Sequence, residues 1–296
     1  MKSTMKRKKT DVQQICVNLV CTLIVIMIVA PFLLVITSSL TSEDYILSHG
    51  YGFFIKELDT TAYKYILANI DMILDAYKVT FAFSVISMVS SVLLMSMLAY
   101  PIARDIMPAR KQISFFLYFT MLFNGGLVPT YILITKYLNL GDKIWVYILP
   151  GMISPWYVFM IRTSFQGIPK SIIESAYIDG ASEYTIFRKF IMPMSKPVLA
   201  TVALFVFLNK WNDWYTSMLY ISDPKLMSLQ YLLQRIMLEV ELMKNGGAQA
   251  GLDVSQIPNE SVRMALAVVV AGPALIVFPF FQKYFTKGMT VGAVKG

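Results

Sequence analysis

Histidine is almost missing from this 296-residue chain; His49 is the only one. A single imidazole excludes histidine-cluster metal sites and leaves little room for histidine-based acid–base catalysis. Cysteine is nearly as scarce, with only Cys16 and Cys21. Five positions apart on a helix, their Cα atoms would stand roughly 8–9 Å apart, beyond disulfide reach, so they read as inert packing residues. Charge is the third scarcity. Asp, Glu, Lys and Arg make up 15% of the chain, against about 25% in a soluble domain. Apolar residues reach 56%, with 19 Met and 19 Phe, more than one buried core can use. Much of the surface must therefore face something other than water. Disorder, which needs low hydrophobicity and high charge, is excluded. The chain reads as an integral membrane protein.

About 20 apolar residues cross the hydrocarbon core as a helix. Charge-free stretches run over 12–42, 79–103, 112–135, 144–161 and 264–282, and a sixth apolar stretch, 198–220, is interrupted by Lys210 and Asp213. These predict six spans, at about 15–38, 79–101, 113–135, 144–162, 198–220 and 264–282. Backbone groups cannot stay unpaired in lipid, and ten-residue barrel-type alternation is missing, so the expected fold is all-α. Residues 12–296 read as one membrane domain behind a short segment, 1–11. Lys6-Arg7-Lys8-Lys9 precedes the first span as it would in a secretory signal. The apolar run is too long for that, and no small-residue cleavage site follows, which predicts a retained anchor.

The net charge of +8 resolves by position. With the N-terminus inside, the inner segments hold 16 basic and five acidic residues and the outer segments nine basic and twelve acidic. The excess of Lys and Arg places both termini in the cytoplasm. Among the outer segments, 226–244 reads as an amphipathic helix ended by Asn245-Gly246-Gly247. It either packs on the bundle or meets an extracellular partner. Asn124-Gly125-Gly126 with Pro129, and Pro150, Gly151 and Pro155, interrupt the third and fourth spans; ordinary kinks and hinges are both open readings. Met88, Met95 and Met97 read as lipid- or core-facing filler.

The inner loop 163–197 carries the sharpest pattern. It contains Glu174-Ser-Ala-Tyr-Ile-Asp-Gly180-Ala181-Ser182, then Phe187, then Ile191-Met-Pro193-Met-Ser-Lys-Pro197. This predicts a short helix, a break at Gly180, and a second helix capped by Ser182 and stopped by Pro193. Small residues at the bend, Ala176, Gly180 and Ala181, would allow close approach of a docking surface. Residue physics alone leaves a docking elbow and an ordinary amphipathic loop both standing.

The pattern E-x-A-x-x-D-G-A, then F, then I-x-P-x-x-x-P resembles the "EAA" signature of ATP-binding cassette (ABC) importer permeases. Ser175 replaces the usual second alanine and Met192 the usual leucine. The six-span layout and the ending Tyr284–Gly296 extend the resemblance over the whole chain, towards carbohydrate permeases of the maltose-transporter type. Phe123-Asn-Gly-Gly-Leu-Val-Pro-Thr130 is similar to the polysaccharide or aldouronate branch. The resemblance implies an all-α, six-transmembrane-helix type I ABC importer permease fold in a bacterial cell membrane. It implies that 174–193 is a coupling helix seated in a separate ATPase, with Glu174, Ala176, Asp179, Gly180, Ala181, Phe187 and Pro193 at the matching positions. It implies as partners a second homologous permease, two ATPase subunits and an extracellular solute-binding protein, and as cargo a carbohydrate, with an oligosaccharide favoured. The sequence lacks G-x-x-x-x-G-K-[ST], so ATP and Mg are expected on the partner ATPase, with no cofactor, metal site or catalytic residue in this chain.

Asn209-Lys210-Trp211-Asn212-Asp213-Trp214-Tyr215 is the second conspicuous run. Ionisable residues within a span are costly and generally face a bundle interior or a water-filled cavity. Lys210 and Asp213, three apart, can pair on one helix face. Amides and aromatic faces suit a neutral sugar. Lining of the translocation path by Asn209, Lys210, Trp211, Asn212, Asp213 and Trp214 stands beside structural packing between subunits. A membrane-embedded enzyme would need a histidine or paired acids in the membrane zone. An ion-coupled transporter would need more intramembrane charge and internal repeats. A non-sugar solute carried by the same importer class is the remaining alternative.

Overall fold

The computed structural model describes residues 12–68, 70–104, 107–249, 260–273 and 279. Among them every regular element is helical, apart from one antiparallel bridge between Thr41 and Leu58. The expected segment 1–11 and the ending 284–296 lie outside the described residues. The chain divides into two compact units, Met1–Ala68 with Met237–Val269, and Asn69–Ile236 with Val270–Gly296.

In the first unit, α1 (Val12–Ser39) is predominantly apolar, with Gln14, Asn18 and Thr22 along one face of its first turns, and is exposed at every position from Gln14 through Val29. Its length and apolar composition are enough to cross a membrane. Cys16 and Cys21 are free and exposed on it, so they do not pack inside the chain as expected. Ser42 caps α2 (Glu43–His49) by accepting the Tyr45 N–H at 3.3 Å. α3 (Thr61–Ala68) follows. The buried Glu43 carboxylate accepts the backbone N–H groups of Glu260 (3.0 Å) and Ser261 (2.9 Å). It thereby satisfies donors left open at the start of the helix over 260–273.

The second unit is organised by α4 (Ile70–Ala103), whose 34 residues extend about 50 Å. Met95, Ala99 and Ile102 of α4 share a buried core with Val158 and Ile161 of α8 (Pro155–Gln166) and Val202 and Val206 of α12 (Lys196–Trp211). A second cluster joins Phe83, Ile134, Tyr147, Ile221 and Met227. Met95 is fully buried, Met88 half-buried and Met97 exposed, so the methionines divide between core and surface.

Three expected spans are broken. The third splits into α5 (Arg110–Leu122) and α6 (Leu127–Ile132), which continues as a wide π turn over Leu133–Tyr137; the two limbs meet at 113°. Gly126 sits at φ +87°, and Asn124 holds its N–H at 2.9 Å. The fourth span is α7 (Trp145–Ile148), a non-helical stretch with Gly151 at φ +75°, and α8. The helix of the fifth ends at Trp211, and α13 (Tyr215–Tyr220) follows after three non-helical residues. In the third and fourth spans, left-handed glycines and nearby prolines interrupt the α-helix where a charge-free stretch alone does not show it. Two helices among the described residues are long and apolar enough to cross a membrane, or up to four if each bent pair is one span. The sixth expected span is helical to residue 273, and 274–278 and 280–282 lie outside the described residues.

α14 (Leu229–Gln249) runs through Asn245-Gly246-Gly247 rather than ending there. Interior glycine costs a helix about 1 kcal/mol and does not forbid it.

Candidate functional site

The inner loop folds as the elbow its residues predict. α9 (Lys170–Ile178) ends at Asp179, and Gly180 takes φ +76°. The Ala181 N–H returns to the Ala176 carbonyl and the Gly180 N–H to that of Tyr177, both at 2.9 Å. These two bonds form a Schellman motif, which needs a left-handed residue at position 180. A Cβ added there would meet nothing within 4 Å, so glycine is required for its φ and not for space. Ser182 accepts the Thr185 N–H at 3.3 Å and caps α10 (Glu183–Ile186).

Pro193 does not stop the second limb. The chain widens into a π turn over Phe187–Ile191 and carries Pro193 inside α11 (Met192–Met194). The wider turn accommodates a ring that would collide with a regular preceding turn. The direction changes at Ser195, where this limb and α12 meet at 79°.

The small residues divide. Gly180 and Asp179 are exposed, but Ala176 is buried in the core and Ala181 is half-buried against it. The expectation that all three small residues lie at the exposed bend is corrected; the Schellman closure turns both alanines inward. Phe187 is also half-buried, its ring centroid 5.2 Å from that of Tyr100. Glu174 and Pro193 are exposed. The outward tip is formed by Ile178, 87% exposed, with Tyr177 and Tyr184.

Four residues that the sequence does not single out brace this elbow. Glu183 receives Arg104 Nη1 at 3.2 Å and the hydroxyls of Tyr100 and Tyr177. Arg104 also donates to the Tyr177 hydroxyl at 3.0 Å, and its guanidinium lies 5.5 and 5.3 Å from the Tyr100 and Tyr177 ring centroids. Burial pushes the Glu183 carboxyl up, but the two tyrosine hydrogen bonds and the Arg104 charge outweigh it and hold it below the ordinary glutamate value. One carboxylate thus joins the end of α4 to both limbs of the elbow. Only Tyr177 and Glu183 are near in sequence, so the pattern carries no signal for Tyr100 and Arg104. Beside the network, Arg104, Lys170, Glu174 and Tyr177 line a cleft of about 370 Å³.

The run 209–214 is pulled apart. Asn209 and Lys210 line a cavity of about 350 Å³ with Ser154, Trp156 and Tyr157. Asn209 Nδ2 donates to the Tyr157 hydroxyl at 3.2 Å. Trp211 is buried instead, its ring centroid 5.8 Å from Phe207 and 6.1 Å from Tyr77. Asn212 bonds the Leu208 carbonyl (2.9 Å) and Gln230 (3.1 Å). Asp213, two residues ahead of α13, accepts the Thr216 N–H (3.0 Å) and hydroxyl (2.8 Å). Trp214 is partly exposed, edge-on to Tyr215. Lys210 Nζ donates to the Tyr147 carbonyl at 2.5 Å. Lys210 and Asp213 do not form the expected ion pair, because α12 ends at Trp211 and the i, i+3 geometry ends with it.

Residues 65–291 match the family described as binding-protein-dependent transport system inner membrane component. The chain is 36% identical over 268 residues to the polygalacturonan/rhamnogalacturonan transport system permease protein YtcP of Bacillus subtilis (strain 168), covering 90% of this chain and 93% of that protein. It is 35% identical over 268 residues to protein LplC of the same strain, covering 90% of each. It is 31% identical to the arabinooligosaccharides transport system permease protein AraQ of Halalkalibacterium halodurans, over 72% of this chain and 71% of that one. Its fold is similar to a chain in a crystal structure of a bacterial ABC transporter involved in the import of the acidic polysaccharide alginate, with a TM-score of 0.79 at 24% identity, covering 96% of this chain and all of that one.

Proposed function

The chain belongs to the family of binding-protein-dependent transport system inner membrane components, and from that premise we propose that it is one of two homologous permeases in an ATP-driven importer of oligosaccharides. An extracellular binding protein delivers the cargo, and the two permeases form the path. Two separate ATPase subunits, which carry ATP and Mg, each engage one elbow. The excess of Lys and Arg over the inner segments supports cytoplasmic termini and an elbow on the cytoplasmic side. Oligosaccharide cargo is supported by the saccharides named for YtcP and AraQ and by the aromatic and amide lining of the cavity at Trp156, Tyr157 and Asn209.

The observation that carries the coupling role is the braced elbow. Its tip exposes Ile178, Asp179 and Gly180, while its base is tied through Glu183 to Arg104 and through Ala176 and Phe187 to the core. A lever must be soft nowhere between the surface that is pushed and the helices that move. Closure of the ATPase dimer against the tip would be passed through Glu183 to the end of α4, and through the π turn to α12. That changes which face of the bundle is open. Glu174, Asp179, Gly180 and Pro193 supply the docking surface, and Ala176, Ala181 and Phe187 hold its shape.

Replacing Gly180 by Trp tests this. The space around it is open, so the cost to the permease is confined to a strained φ of about 1–2 kcal/mol. Co-purification of the ATPase and uptake should both fall sharply while the permease remains in the membrane. Normal association together with normal uptake would reject the coupling role.

A further inference from the structure

We propose that the loop over 51–58 is a membrane anchor, in which Phe53 and Phe54 insert into the leaflet where α1 ends and the partner is phospholipid. In the orientation given above this is the outer leaflet. Clustered apolar side chains on a surface mark an interaction site. Within this loop Tyr51, Phe53, Phe54, Ile55 and Leu58 are all exposed, Phe54 to 79% and Leu58 to 71%. The stretch is non-helical, so its position is set by how it is tied to its neighbours.

Those ties fix its depth. The Thr37 hydroxyl, in the last turn of α1, donates to the Gly52 carbonyl at 2.7 Å. Beyond the two phenylalanines, the Ser42 N–H donates to the Glu57 carbonyl at 3.1 Å and the Asp59 N–H to that of Leu40 at 3.0 Å, on either side of the Thr41–Leu58 bridge. The Ser42 hydroxyl also donates to the Glu57 carboxylate at 2.7 Å, and the Tyr51 hydroxyl to Glu260 at 2.6 Å. From Gln14 to Thr37, α1 rises about 35 Å, enough to pass a hydrocarbon core of roughly 30 Å and bring Thr37 to its far boundary. Phe54 follows Gly52 by two residues, a reach of about 7 Å at most, so both phenylalanines stay within the interfacial zone. Near that depth Leu33 and Ile36 of α1 are exposed as well, so the apolar surface of the span continues at the level of the loop. Lys56, also exposed, is two positions from Phe54 and suits the headgroup phosphates. A soluble partner would cover the loop only from the water side, whereas its depth puts the rings where acyl chains begin. The anchor then sets the height of the end of α1 and, through Tyr51 and Glu260, of the start of the helix over 260–273.

The test uses the chain assembled with its partner subunits in vesicles of phosphatidylethanolamine and phosphatidylglycerol. Cys16→Ser and Cys21→Ser remove the two native thiols, and a nitroxide is placed on Phe54→Cys. Ser48→Cys, at an exposed position of α2, is the aqueous reference. Collisions with oxygen, which concentrates among acyl chains, are compared with collisions with a water-soluble nickel chelate. The oxygen-to-nickel ratio at position 54 is expected to exceed that at 48 by at least about threefold. Equal ratios at the two positions would overturn the proposal. So would exclusion of both reagents from position 54, which marks cover by the second permease. Nickel access at 54 that is lost only when the binding protein is added would overturn it in favour of a docking face for that protein. Phe53→Cys, read by the same criteria, decides the matter where Phe54→Cys does not assemble.

Discussion

Arg104, at the end of α4, and Glu183, 79 positions later at the start of α10, approach to 3.2 Å and close a four-residue network with Tyr100 and Tyr177. The Arg104 side chain is 15% exposed and that of Glu183 43%. The pair is therefore partly screened, and its value lies in geometry, since one carboxylate at the start of α10 is held by donors from α9 and from the end of α4. Arg104→Ala should lower stability by about 1–3 kcal/mol, because it removes charged hydrogen bonds and leaves Glu183 with two tyrosines. It should also lower uptake more than ATPase association, since the elbow tip is untouched. Arg104→Lys should not restore uptake, as a point charge cannot serve Glu183 and Tyr177 together. Thermal unfolding and vesicle uptake of the two variants check this.

Thr80 Oγ1 accepts the backbone N–H of Leu229 at 2.8 Å, and both residues are fully buried. That N–H is at the first position of α14 and has no intrahelical acceptor. Thr80→Val keeps the shape and removes the acceptor, and should cost about 1–3 kcal/mol. Thr80→Ser keeps the oxygen and should cost less than half of that. Chemical denaturation of the detergent-solubilised protein distinguishes the two.

The loop at Asp142 should sense acid. Its carboxylate accepts the N–H groups of Ser222 and Asp223 (2.5 and 3.0 Å), and these bonds hold its pKa below the ordinary aspartate value of 3.8. A carboxyl whose folded-state pKa is depressed stabilises the fold in full above its unfolded value. The contribution is lost as pH falls below 3.8 through the lowered value. Hydrogen exchange at Ser222 and Asp223 should accelerate over that window, beyond the intrinsic pH dependence. Asp142→Asn should abolish the acid dependence while keeping an acceptor in place.

Composition and charge placement were enough to define an all-helical membrane protein, and the helix–Gly–helix elbow with Ser182 as its cap was readable residue by residue. Those features are local; a left-handed glycine, a capping hydroxyl or a run of apolar side chains acts within one or two turns of itself. The tertiary structure decided what is non-local. It turned Ala176 and Ala181 inward, carried Pro193 in α11 directly after a π turn, and brought Arg104 to Glu183 across 79 residues. It also separated Lys210 from Asp213, although their spacing suits a pair. The helix between them ends at Trp211, so the spacing no longer sets the distance, and each takes the nearest partner that packing supplies. Spacing fixes proximity only while one helix persists; beyond a break, proximity belongs to the fold.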